Sequence, residues 1–164
     1  MPEQSPLSFN PDWQLAQINV GHALAPLDDP RMAGFTGELD ALNALAERSP
    51  GFIWRLQDDS GNATSILAGS DPLLLVNMSV WQSVDSLEGY VYSGPHLASL
   101  KQRRQWFRKA EWPSLALWWI PAGHTPSVSE GMSKLELLRQ QGPNPQAFSF
   151  ASRWPEPESA TSTP

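Results

Sequence analysis

Leu73-Leu-Leu-Val-Asn-Met-Ser-Val-Trp81 is the stretch whose reading decides the fold. Its even positions, Leu74, Val76, Met78 and Val80, are all apolar, and its odd positions end in Asn77, Ser79 and Trp81. Side chains alternate across a strand, so this is a strand with one aliphatic face and one face that mixes polar and aromatic groups. Leu15-Ala-Gln-Ile-Asn-Val20 repeats the pattern, with Ala16, Ile18 and Val20 on one side and Gln17 and Asn19 on the other. A sheet built from two such strands has a second face too polar for plain core and too aromatic for plain surface. That face is the first candidate for the wall of a cavity.

Working outward, the first strand runs from Trp13 to Val20. Asp29-Pro30 has the chemistry of a helix start, a capping carboxylate followed by a residue suited to the first helical position. Met32, Phe35, Leu39, Leu42 and Ala46 then recur at helical spacing, which predicts an amphipathic helix over 30–47 that Ser49-Pro50-Gly51 stops. Phe52 to Gln57 alternates as a strand, Asp58 to Asn62 is turn chemistry, and 63–67 continues the ladder. After the strand 73–81, a helix is expected from Asp85, with Glu88 as its capping-box partner. Gly94-Pro95 interrupts it, and a second segment runs from Pro95 to Lys109. A strand at 115–120, a helix capped by Ser127 and Glu130, and a short strand at 146–150 complete the order.

The order β-α-β-β-α-β, with an extra C-terminal helix and strand, is the α+β ferredoxin-like pattern, an antiparallel sheet with both helices on one face. With the helices expected on the aliphatic side, the polar-aromatic face would lie open. A twofold dimer, sheet against sheet around a pocket, is the economical cover. Residues 1–11 and 153–164 read as loose ends of a single domain over 12–152.

Composition narrows the function class. The chain has 164 residues, of which 40% are hydrophobic and 17% charged, enough for one domain with a real core. A net charge of −6 argues against a nucleic-acid partner, which requires cationic surface. No apolar run reaches membrane-spanning length, so no membrane partner is expected. The N-terminus has no signal-peptide pattern, and a cytoplasmic location is the expectation. With no Cys, thiolate catalysis and thiolate metal sites are excluded, and the three His lack metal-site spacing. No phosphate loop and no nucleophile elbow is present.

The candidate cavity face is Gln17, Asn19, Asn77, Ser79 and Trp81, with Arg55 falling opposite the apolar set Phe52, Trp54 and Leu56. Two readings of the buried amides stay open: they surround a polar ligand, or they pair with one another. Trp118 and Trp119 mark a further aromatic strand. His96 opens the second helical segment, and Arg103 lies two turns on along nearly the same face. A His there suits a general base or a ligand to haem iron, and equally a hydrogen-bonded helix entry. His22 and His124 follow strand ends, where loops often carry function.

Several stretches together resemble the bacterial "domain of unknown function 3291" family of the dimeric α/β-barrel superfamily. They are Gln17-Ile-Asn-Val-Gly21, Ala25-Pro-Leu-Asp-Asp-Pro-Arg-Met-Ala-Gly-Phe35, Ser49-Pro-Gly-Phe-Ile-Trp-Arg-Leu56, Val76-Asn-Met-Ser-Val-Trp81, His96 with Arg103-Arg104 and Trp106-Phe107, and Trp118-Trp-Ile-Pro-Ala-Gly-His124. The family pattern is richer in Arg after the His and has Glu before the Trp-Phe pair; Gln102 and Gln105 interrupt it here.

The resemblance implies a homodimeric α/β barrel. Relatives in the superfamily include cofactor-independent monooxygenases, haem-binding enzymes and non-catalytic binding proteins. The leading expectation is a monooxygenase-like enzyme acting on an apolar or aromatic small molecule. His96 or His22 would accept the proton. Gln17, Asn19, Arg55, Asn77, Ser79, Trp81, Arg103 and Trp119 would hold the substrate. No cofactor or metal is expected; haem bound through His96 is the second reading, and a non-catalytic ligand-binding or assembly module the third.

Overall fold

Alternation along the two marked strands places them side by side at the centre of the sheet. In the computed structural model, which describes residues 11–59, 61–64 and 66–157, β1 (Trp13–His22) pairs with β3 (Leu74–Trp81). The register sets Gln17 opposite Ser79 and Asn19 opposite Asn77 on one face, and Ile18 opposite Met78 on the other. β4 (Leu115–Pro121) lies on the far side of β1, and β2 (Phe52–Arg55) on the far side of β3. All three pairings are antiparallel, in the order β2-β3-β1-β4, which is the ferredoxin-like arrangement.

The helices are α1 (Ala33–Arg48), α2 (Val84–Val91), α3 (Gly94–Lys101) and α4 (Val128–Gln141). Asp29 caps the entry to α1, its carboxylate accepting from the Arg31 amide at 2.8 Å, and Pro30–Met32 form a 3-10 turn before the helix proper. Ser83, rather than Asp85, caps α2. Ser127 caps α4 as expected, but the Glu130 carboxylate turns to the Trp118 indole and to His124 instead of closing the capping box. The segment after Pro95 leaves the helix before Trp106. Trp106 and Phe107 are buried against Met32 and Phe35, and the backbone there bonds to His22 and Leu24. That tertiary pairing ends the helix some eight residues before the expected Lys109. In place of the expected strands, the described residues of 63–67 make an isolated bridge from Leu67 to Leu75, and 146–150 makes bridges from Phe148 to Leu117 and from Ala147 to Asn144.

The two faces are covered the opposite way round from the expectation. Leu135 and Leu138 of α4 pack on the aliphatic face with Ile18, Met78 and Trp118, all at most 3% exposed. Gly131 lets α4 approach closely: a Cβ there would sit 2.8 Å from Ile18 Cδ1. α1 and α2 instead cover the polar-aromatic face, where Ala46 and Leu87 meet Leu15, Trp81 and Leu117. The aliphatic face is therefore buried within one chain, so two sheets packed face to face do not enclose the site. Alternation settles which residues share a face; it says nothing about which helix covers it.

A bulge between Phe52 and Trp54 makes a second correction. It puts Phe52 beside Trp81 on the helix-covered face, with Arg55, while Trp54 joins the α4 side. One extra residue thus splits the set that alternation had grouped together. At the chain ends, residues 1–10 and 158–164 lie outside the described residues. Arg153, expected in the loose tail, pairs with Asp85 and Glu88, and the Trp154 carbonyl accepts from the Trp119 indole at 2.9 Å.

Candidate functional site

The polar-aromatic face does not pack flat against its helices. Between it and α1, α2 and α3 lies a cavity of about 370 Å³. Gln17, Asn19, Asn77, Ser79 and Trp81 line its floor with Arg55; Phe35, Leu39, Leu42 and Ala46 of α1 make one wall; Tyr90, His96, Arg103, Trp106 and Phe107 make the other. The volume lies at the low end of the roughly 300–1,000 Å³ typical of small-molecule sites.

The floor is a continuous hydrogen-bonded chain. The Trp81 indole donates to Ser79 Oγ at 2.8 Å, and Gln17 Nε2 donates to the same oxygen at 2.8 Å and to Asn77 Oδ1 at 2.7 Å. Asn19 Nδ2 donates to Asn77 Oδ1 and to Gln17 Oε1, each at 3.1 Å. Both readings of the amides therefore hold at once: they pair with one another and line the cavity. Gln17 and Ser79 are buried at 3% and 7% exposure; Gln17 has both N–H groups bonded, while the Ser79 hydroxyl hydrogen and the Asn77 NH2 are donors of this chain without an acceptor among the described residues.

Above Trp81 stands an aromatic stack. Tyr90 lies over the indole at 5.4 Å between centroids and 23° between planes, and His96 lies against Tyr90 at 4.7 Å. The Tyr90 hydroxyl donates to the Leu42 carbonyl at 3.1 Å, and burial pushes its pKa up to about 12, so it stays protonated. His96 Nδ1 is 2.9 Å from the Val91 carbonyl. An oxygen acceptor there requires the proton on Nδ1, which leaves a lone pair on Nε2. Burial lowers the His96 pKa and outweighs the Val91 bond, and the nearby Arg103 charge lowers it further. A neutral imidazole with a free acceptor nitrogen results.

Arg103 donates to the Val20 carbonyl at 3.2 Å and sits 5.3 Å over the Phe107 ring. Burial holds its pKa below the usual arginine value. Gly21 makes room for this arrangement, because a Cβ there would lie 2.8 Å from the Phe107 ring and 3.2 Å from the guanidinium. Arg55 is held from behind by Glu47 at 2.8 Å. No Asp or Glu lines the cavity among the described residues.

Two of the expected site residues are not brought here. His22 lies at the β1 exit, its Nε2 2.7 Å from Asp71, and does not line the cavity. Trp119 shares the helix-covered face, but it lies under the C-terminal segment, bonded to Trp154 and beside Phe148. His124 pairs with Glu130 at the opposite side of the sheet. Conversely, Phe35, Leu39 and Leu42 were visible only as the apolar stripe of a helix, since periodicity marks a buried face without telling a packed wall from a cavity wall. The described residues contain no cluster of three or more potential metal ligands and no helix long and apolar enough to cross a membrane.

The family model Domain of unknown function (DUF3291) matches residues 14–163, and the chain belongs to that family. No curated protein matches it. Among solved structures it is similar to SnoaB, a cofactor-independent oxygenase from Streptomyces nogalater, with 18% identity over 70% of this chain and 96% of that one, at a TM-score of 0.42. PA3566 from Pseudomonas aeruginosa is similar at 16% identity over 71% and 99% of the two chains, with a TM-score of 0.45. Rv0793 from Mycobacterium tuberculosis is similar at 14% identity over 70% and 99%, with a TM-score of 0.44.

Proposed function

We propose that this member of the DUF3291 family is a monooxygenase-like cytoplasmic enzyme that binds an apolar or aromatic small molecule in the cavity, with His96 as proton acceptor. The observation that carries the reading is the His96 imidazole, neutral and tethered through Nδ1, with its other nitrogen free at a cavity without carboxylates. The volume suits two or three fused rings. His96 Nε2 would take a proton from an acidic C–H or O–H of the substrate, and the Asn77 amide would stabilise the resulting anion. Dioxygen is the oxidant. An acidic CH2 becomes a carbonyl, one oxygen atom stays on carbon, and the other leaves as water with the two hydrogens. The named lining residues all belong to one chain; the homodimer expected from sequence is read separately by sedimentation velocity.

The test is oxygen uptake with anthrone, whose CH2 between two aryl rings is acidic. Expected is turnover that falls about 10²- to 10⁴-fold in kcat in His96→Gln, with a smaller change in KM. Trp119→Phe and His22→Gln, both outside the cavity, keep wild-type turnover. Anthrone bound without oxygen uptake would favour the non-catalytic module, and no binding at all would end the proposal.

The same His96 geometry supports a second reading. A ring nitrogen held by a carbonyl with the other free is how ligating histidines are oriented, so His96 is the residue that would hold haem iron. The cavity volume suits a ligand smaller than the macrocycle. A visible spectrum recorded after adding haem decides it: a Soret band lost in His96→Ala supports ligation, and no band removes this reading.

A further inference from the structure

The cavity holds an uncompensated charge. Of the two arginines that line it, Arg55 is bonded to Glu47, whereas Arg103 makes no ion pair among the described residues. A guanidinium carries five N–H donors, and the bond to the Val20 carbonyl accounts for one of them. Acidic residues are plentiful, 17 in a chain of net charge −6, yet none among the described residues faces this guanidinium across the cavity. Holding a half-buried guanidinium without an ion pair costs desolvation that a fully exposed position would avoid. The protein instead shapes the backbone to hold it: the bare Cα of Gly21 and the Phe107 ring form its bed. The neighbouring His96 is neutral and accepts through Nε2, so it does not compete for an anion.

We propose that Arg103 is the seat for a permanently anionic group, a carboxylate, on the molecule that fills this cavity, which makes the ligand class a compact aromatic monocarboxylate. This rests on the cavity being the ligand site of the proposed function and adds the charge that the ligand must carry. A planar carboxylate can take two parallel N–H bonds from the guanidinium. The rings would then lie along Phe35 and Trp106, toward the amide floor and the Asn77 NH2. A carboxylate fixed at Arg103 also presents the rest of the molecule to His96 in one orientation, which is what a proton transfer needs.

The test compares 2-naphthoate with 2-naphthamide, which share ring and shape and differ in charge, by isothermal titration calorimetry on the full chain. Wild type is expected to bind the acid roughly 10- to 100-fold more tightly than the amide, the range of a charged hydrogen-bonded pair. Arg103→Gln should level the two ligands, Arg103→Lys should keep part of the preference, and Arg104→Gln, on the exposed side, should keep all of it. Equal binding of acid and amide by wild type overturns the anion seat and leaves the aromatic cavity standing. Failure of both to bind overturns the seat and the cavity reading together. A preference for the acid that survives Arg103→Gln and disappears in Arg55→Gln overturns the assignment to Arg103. If Arg103→Gln does not fold, the wild-type comparison and Arg103→Lys still decide: equal binding of acid and amide by wild type, or an undiminished preference in Arg103→Lys, overturns a guanidinium-specific seat.

Discussion

Replacing Ser79 by alanine probes whether the polar floor of the cavity is a bonded unit. Ser79 Oγ accepts from Gln17 Nε2 and from the Trp81 indole, both at 2.8 Å. On its loss Gln17 keeps Asn77 at 2.7 Å, but the Trp81 N–H, on a side chain with 0% exposure, keeps nothing. One Gln17 N–H is orphaned as well, though that nitrogen keeps its other bond, so the Trp81 donor sets the main cost, about 1–3 kcal/mol. For a domain of this size that lowers Tm by roughly 2–12 °C. The assay is urea unfolding followed by far-UV circular dichroism, with an unchanged m-value as the sign that only stability moved. Trp81→Phe removes the same donor at a separate packing cost. The double variant Ser79→Ala/Trp81→Phe should therefore lose less than the sum of the singles, by about 0.5–3 kcal/mol. Ser79→Ala within about 0.5 kcal/mol of wild type, together with an additive double variant, would refute the reasoning.

Two further outcomes test other parts of the molecule. His96 titrates below its ordinary 6.5 in the folded chain, so between that lowered value and 6.5 the unfolded state binds more protons and stability rises with pH. Unfolding free energy should fall as pH drops from 7 through 6.5 toward the folded value, and His96→Gln should flatten that slope; an unchanged slope counts against a buried neutral imidazole. Gly51 has φ +84°, and a Cβ there would lie 2.5 Å from Ser86 Cβ. Gly51→Ala should cost about 2 kcal/mol or more from the left-handed backbone and the clash, with Ser86→Gly recovering only the steric part in a chemical-denaturation series.

The neighbourhoods on which these predictions depend were legible to different degrees. Asn19, Asn77, Gln17 and Ser79 could be grouped from alternation alone, because a period of two puts them on one side whatever the partner strands do. His96 and Arg103 could be matched to each other along a helix. Their meeting with the strand residues could not be foreseen, since it depends on α2 and α3 lying across the face that carries the amides. His22 and Trp119 looked equivalent to His96 and Trp81 by position, and they diverge because Asp71 and the Trp154 carbonyl, distant in the chain, capture them. Phe52 parted from Trp54 at a bulge, which leaves no mark on a pattern of apolar and polar letters.

The sequence by itself determined the order of the main elements, the ferredoxin-like class and the face membership of β1 and β3, all of which follow from local spacing and from the caps at Asp29 and Ser127. Only the tertiary structure decided which layer covers which face. Both faces carry enough apolar surface to bury, so the choice turns on long-range fit: Gly131 admits α4 against Ile18, while the aromatic groups of the other face meet α1 and α2. That choice turned an expected gap between two subunits into a cavity within one chain, with Arg103 and His96 facing the amides across it.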